Sequence, residues 1–194
     1  MRVEQYVVAY QADQDRIRAL LPEGFSSLRP VMRVNAEIRN HRQLYLELNT
    51  PVSGFEKRGW LNIAHWSSPE LTLDREGASM IFRAEHLEFI FTATGTMGGC
   101  PAERDNDGCF YLTDGAMRFV PAERIGSRKE SCDCMFSWKY PLGGAHGVSV
   151  GGKTLPPLPT LPKMNDPKVA PTAENAAMIP CVQMLGQYRV VFDR

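Results

Sequence analysis

Short runs of β-forming residues follow one another along this chain, and a single capped helical segment interrupts them near the start. Val3 to Tyr10 is rich in valine and tyrosine and reads as a strand. Asp13 then supplies a helix cap, Asp15 an acidic first turn, and Ile17, Leu20 and Leu21 one apolar face, before Pro22 forces a stop. Pro30 opens a second strand over Val31 to Ile38. Further strands are expected at Gln43–Leu48, Trp60–Trp66, Leu71–Leu73, Ser79–Arg83, Leu87–Thr96, Phe110–Leu112, Ala116–Val120 and Met135–Tyr140. Val182 to Phe192 closes the chain as a helix followed by a strand. Many short strands and few helices predict one β-dominated α+β domain, a barrel or a sandwich, over residues 1–194.

The last third is marked by proline. Six prolines fall in the seventeen residues from Leu155 to Pro171, so this segment is neither regular helix nor central strand. A polyproline arm over about 155–171, laid across a neighbouring subunit, is the expectation, and with it a homo-oligomer. Just before it, Gly147 to Thr154 spells G-x-x-x-x-G-K-T, the phosphate-loop pattern. That chemistry needs a helix beginning at the lysine, and Pro157, Pro159 and Pro162 deny one. The pattern reads as a glycine turn leading into the arm, not as a nucleotide site.

Charge excludes other classes. Lysine plus arginine and aspartate plus glutamate number 22 each, so the net charge is zero and no basic stripe suggests nucleic acid. No apolar run approaches the roughly 18 residues of a spanning helix, so no membrane partner is expected. The start, Met-Arg-Val-Glu-Gln-Tyr, lacks the apolar core of a signal peptide, and a cytoplasmic location is the expectation. Five cysteines and four histidines show no zinc spacing, so no metal or other cofactor is expected and the thiols read as reduced packing residues. Cys132 and Cys134 share a face if they lie on a strand. The polar loop from Cys100 to Cys109 reads as a hairpin turning at Asn106-Asp107-Gly108, not as a calcium loop. His65, between Trp60 and Trp66, has two readings, a pocket base or a core residue with one hydrogen bond, and the second is the expectation.

Three stretches resemble the acetoacetate decarboxylase-like superfamily: the opening helix with Leu21-Pro22-Glu23, the strand Pro30-Val31-Met32-Arg33-Val34-Asn35, and Leu44-Tyr45-Leu46-Glu47 followed by Pro51-Val52-Ser53. Trp138 to Pro141 and Leu185 to Val190 extend the resemblance to the end of the chain. It implies a closed β-barrel with few short helices, enclosing a cavity for a small keto acid or carboxylate, and decarboxylase-type lyase chemistry. It assigns Glu47 as the acid/base residue. Period two then puts Tyr45 on the face of Glu47, and Arg33, Asn35 and Glu37 on one face of the strand before it. Arg33 or Arg83 would anchor a substrate carboxylate through paired hydrogen bonds, with Asn35 and Tyr45 beside it. The alternatives are an outward Arg33, and a Glu47 that is solvated or paired with Arg42.

In the family a desolvated lysine in a Pro-Lys-Lys segment forms an imine with the substrate. This chain has the preceding Arg75-Glu76, but Phe82 and Arg83 stand where lysines would be, and no Pro-Lys-Lys occurs. Arginine cannot form the imine. Lys57 and Lys129, each next to an arginine, are expected in surface loops. A lyase of altered mechanism is therefore one expectation. The alternative is a non-catalytic small-ligand binding or assembly module on the same barrel.

Overall fold

The computed structural model describes residues 1–103, 108–122, 124–140, 144–149, 159, 162 and 167–194, and side chains for these except 96–103, 124–128 and 149. The strands are β1 (Arg2–Gln11), β2 (Phe25–Ser27), β3 (Val31–Arg39), β4 (Gln43–Gly54), β5 (Lys57–Ser67), β6 (Thr72–Glu76), β7 (Ser79–Ala84), β8 (Leu87–Glu103), β9 (Gly108–Thr113), β10 (Ala116–Val120), β11 (Arg124–Trp138), β12 (His146–Ser149) and β13 (Gln183–Asp193). Among the described residues two helices, α1 (Gln14–Leu20) and α2 (Ala173–Ala177), complete the set.

Asp13 caps α1 as expected, its carboxylate accepting from the backbone N–H groups of Asp15 and Arg16. At the C-terminus the helical expectation for Val182 is corrected. The helix lies earlier, capped by Thr172, and β13 is strand throughout because it is hydrogen-bonded between β1 and β11. The strand Phe25–Ser27 was not expected. Gly147 to Ser149 is not a turn but part of β12, paired with β11, and a side chain at Gly147 would collide with Phe136 and Met184. The hairpin expected between Cys100 and Cys109 is corrected: among the described residues β8 pairs with β7 and β11, and β9 with β10 and β5, not with each other. The rest of the phosphate-loop string, the residues Asn106-Asp107 and most of the proline arm lie outside the described residues. The described parts of the arm touch α1 of the same chain: Arg18 donates to the Pro162 carbonyl, and Lys168 Nζ donates to the carbonyls of Arg18 and Leu21.

All strands belong to one sheet, ordered β10-β9-β5-β4-β3-β1-β13-β11-β8-β7-β6, with β2 on β4 and β12 on β11. Among the described residues every pairing is antiparallel except β5 with β9. The sheet coils strongly. Tyr6 of β1 and Phe82 of β7 stand 5.5 Å apart between ring centroids although three strands separate them in the sheet. Trp66 of β5 meets Trp138 of β11 at 5.7 Å. No ladder joins β10 to β6 among the described residues, so the expectation of a closed barrel is met only as far as a coiled, β-dominated sheet.

Period two gives the sheet two buried faces, one apolar and one in which polar groups are set among smaller apolar clusters around Val3 and Val31. One carries Tyr6, Val8 and Tyr10 of β1, Met32, Val34 and Ala36 of β3, and Leu46 and Leu48 of β4, packed with Phe82, Phe89, Phe91, Phe136 and the helix residues Ile17 and Leu20. Each fully buried side chain of this kind stabilises the fold by about 1.5–3 kcal/mol. The other face of the same three strands buries Gln5, Arg33, Asn35, Glu37, Glu47 and Asn49. A polar buried face is costly unless its groups satisfy one another, and here they do so largely around one carboxylate.

Candidate functional site

Register assembles the site. Across β3, β4 and β5, Arg33 stands opposite Asn49 and Asn49 opposite Asn62, while Asn35 stands opposite Glu47 and Glu47 opposite His65. Glu37, Tyr45 and Ser67 form a third row. Residues directly opposite in an antiparallel pair share a face, with Cβ atoms about 4.5–5.5 Å apart, so these rows make a polar grid. Asn62 and His65 are three residues apart and would ordinarily face opposite ways. A bulge, in which Leu48 and Asn49 pair with Ala64 and Asn62 and leave Ile63 over, brings both to the grid.

Glu47 is the centre of the grid and is 6% exposed. Its Oε1 accepts from Asn35 Nδ2 at 3.0 Å and Asn49 Nδ2 at 3.0 Å. Its Oε2 accepts from the phenols of Tyr45 at 3.0 Å and Tyr111 at 2.8 Å. Those bonds fill the roughly four acceptor positions of a carboxylate. The partner cation is Arg33, 5% exposed, with a guanidinium nitrogen 3.9 Å from Oε1 and its plane 3.9 Å over the Trp60 ring. Burial is the largest influence on Glu47 and pushes its pKa up, but the Arg33 charge and the bonds from Tyr111, Asn35 and Asn49 outweigh it and hold the carboxyl below its usual range. Burial pulls Arg33 down in turn, opposed by Glu47, and arginine keeps its proton at neutral pH all the same. Burial first, then the Glu47 charge, raise both phenols, so Tyr45 and Tyr111 stay protonated donors.

A second buried carboxylate, Glu37, extends the network. It accepts from Gln5 at 3.2 Å and from Arg39 at 2.7 Å, and the Arg39 guanidinium lies 4.1 Å over the Tyr45 ring. Asn35 Oδ1 is buried and has no hydrogen-bond partner among the described residues.

Four of the five expected site residues, Arg33, Asn35, Tyr45 and Glu47, thus stand together, with Arg33 inward and Glu47 paired with it rather than with Arg42. Arg83 stands apart. It binds Glu88 at 2.7 Å and Asp74 on the β6–β8 side of the sheet, where it is 38% exposed. His65 corrects another expectation: it is exposed, not core, with Nδ1 3.2 Å from Asn62 Oδ1 and its ring stacked 6.0 Å from that of Tyr45. Lys129 is on β11 rather than in a loop, its ammonium 4.3 Å over the Tyr188 ring, and Tyr188 is electrostatically linked to Arg33. Lys57 begins β5 and lies over Phe119 at 4.7 Å.

Tyr111, Trp60, Asn49 and Asn62 were not anticipated. Asn49 follows from Glu47 by period two. Tyr111 depends on the parallel pairing of β9 with β5, made possible where Gly59 meets Gly108 so closely that a side chain on either would strike the other strand or Phe119. Two of the thiols behave as packing groups: Cys132 and Cys134 are buried in the apolar core, and burial pushes Cys132 and Cys181 up to about 11. Among the described residues no group of three His, Cys, Asp or Glu is arranged to hold a metal, and no helix is long and apolar enough to cross a membrane.

The coiled sheet, with its polar face centred on Glu47, has the acetoacetate decarboxylase-like fold. Solved structures similar over 98% of the chain include the acetoacetate decarboxylase of Legionella pneumophila, 12% identical, covered over 81% of its length, TM-score 0.52. The enduracididine biosynthesis enzyme MppR in complex with pyruvate is 10% identical, with 98% of this chain and 84% of that one covered and a TM-score of 0.55. No family model and no curated protein matches the chain.

Proposed function

We propose that the polar face holds a small carboxylate or keto acid, and that the protein is a carbon–carbon lyase of altered mechanism on the decarboxylase-like fold. The observation that carries this is the buried Arg33–Glu47 pair: a cation and an anion kept in the middle of a sheet face, each costly to bury, ringed by amides and phenols. Arg33 supplies the charge for a substrate carboxylate, with Asn35 and Tyr45 beside it. Glu47, ionised and fully hydrogen-bonded, acts as the fixed charge that orders the site rather than as a group free to exchange its proton. The pyruvate bound by MppR supports a ligand of this size and charge.

Imine chemistry, if retained, falls to Lys129, whose ammonium lies over the ring of Tyr188, a phenol that feels the Arg33 charge. The test is incubation with acetoacetate or pyruvate and borohydride, followed by intact mass and peptide mapping. A reduced adduct on Lys129 identifies an imine enzyme. A ligand-dependent rise in melting temperature with no adduct supports the altered mechanism. No rise with any small carboxylate overturns the proposal. A binding or assembly role without catalysis is favoured by the saturated Glu47, and a melting rise without turnover would select it. The homo-oligomer belongs to the same proposal, and sedimentation of the intact chain checks it.

A further inference from the structure

Three hydrogen bonds link the exposed imidazole of His65 to the buried carboxylate of Glu47, and their direction is fixed at both ends. Asn62 Nδ2 lies 3.2 Å from the Ala64 carbonyl, which can only accept, so the nitrogen of that amide faces it. The same nitrogen donates to Asn49 Oδ1 at 3.1 Å, and Asn49 Nδ2 donates to Glu47 at 3.0 Å. Asn62 therefore turns its oxygen to His65, 3.2 Å away, and His65 Nδ1 must carry the hydrogen. In the neutral ring that leaves Nε2 as a basic lone pair. Every dipole of the chain points its positive end toward Glu47, so the anion holds the tautomer from a distance. The amides orient; they carry no proton.

We propose that His65 is the proton-transfer base of this site, acting on a carbon acid: the C–H next to the carbonyl of a small keto acid. This rests on the small-carboxylate reading above and names a residue and a step for it. Nε2 takes the proton, the C–H bond breaks, and its electron pair moves into the carbonyl to give the enolate. The imidazolium keeps its Nδ1–H on Asn62. Return of a proton from Nε2 restores the keto acid, so in deuterated water the net result is isotope exchange with no other reagent. The charged or titratable groups of the face around His65 are Glu47 and Tyr45 on β4, Tyr111 on β9, and Arg33, Glu37 and Arg39 on β3, the last lying over the Tyr45 ring that stacks on His65. The Ile63 bulge is what allows His65 and Asn62 to meet on that face.

The experiment follows exchange of the pyruvate methyl protons in deuterated buffer by proton NMR, with nitrogen–proton correlation spectra of the His65 ring. The expected result is exchange faster than in buffer alone, an Nδ1–H tautomer in the intact protein, and a loss of at least about 100-fold in His65→Gln. Asn62→Leu should lose the tautomer and part of the rate, while Asn62→Asp, which keeps an acceptor for Nδ1–H, should retain the tautomer. An Nε2–H tautomer in the unaltered protein overturns the proposal, as does exchange that survives in His65→Gln. A melting shift with pyruvate but no exchange overturns the base assignment and leaves the binding reading standing. Neither shift nor exchange removes both.

Discussion

At the scale of single residues the site is an energetic knot, and its strands part at predictable cost. Arg33→Met leaves Glu47 charged in a buried setting with its counter-ion gone, and should destabilise the protein by about 3–5 kcal/mol in urea unfolding. Removing both charges is different. Arg33→Met combined with Glu47→Leu should cost less than the sum of the single changes, a coupling that a double-mutant cycle measures. The sign with pH follows from the same geometry. The Glu47 carboxyl is held below its ordinary value of 4.5 in the folded state, so its stabilisation is complete above that value and is lost as pH falls through the folded one. The stability gap between the unaltered protein and Glu47→Gln should therefore narrow on acidification below about 4.5; a gap that widens would show that Glu47 is not held ionised. Period two made Arg33, Asn35, Tyr45 and Glu47 legible in the sequence as a set. Tyr111, 64 positions from Glu47, was not, because its place depends on which strand β9 finds as a partner.

Elements position these residues through two irregularities. The Ile63 bulge shifts the parity of β5, and the Gly59–Gly108 approach lets β9 run parallel to it and carry the Tyr111 phenol to Glu47. Gly59→Ala places a methyl group about 2.5 Å from the Gly108 carbonyl, too close for either backbone to accept without moving. The expected result is a loss of about 1–3 kcal/mol, with a change in near-ultraviolet circular dichroism as Tyr111 leaves the site; unchanged stability would show that β9 is not held this tightly. Sequence patterns fixed the start and stop of α1, since Asp13 and Pro22 act locally. They failed after Val182, where the expected helix is strand. Strand β13 exists because β1 and β11 both offer it hydrogen bonds, which is a property of neighbours distant in sequence.

The whole molecule is organised around that last strand. β13 lies between β1 and β11, pairing Arg2 with Asp193 at one end, and the Arg194 backbone N–H donates to the Met1 carbonyl at 2.9 Å. First and last residues thus touch, and a linker of about three or four residues, each spanning up to about 3.5 Å, is ample to join them. The turn between β9 and β10 is a fitting place to reopen the chain. Asp114 and Gly115 are exposed there, both with positive φ, 50° and 77°, and the pair makes no buried contact that a break would remove. A circular permutant beginning at Gly115 should fold with a cooperative thermal transition and keep the Glu47 grid, because no strand pairing other than β9 with β10 is opened by the cut. A chain stopped at Met178 should not fold, since losing β13 strips β1 and β11 of a shared partner and leaves two long edges in the middle of the sheet. If the permutant failed and the truncated chain folded, the sheet order that sets Arg33, Glu47 and His65 side by side would itself be wrong.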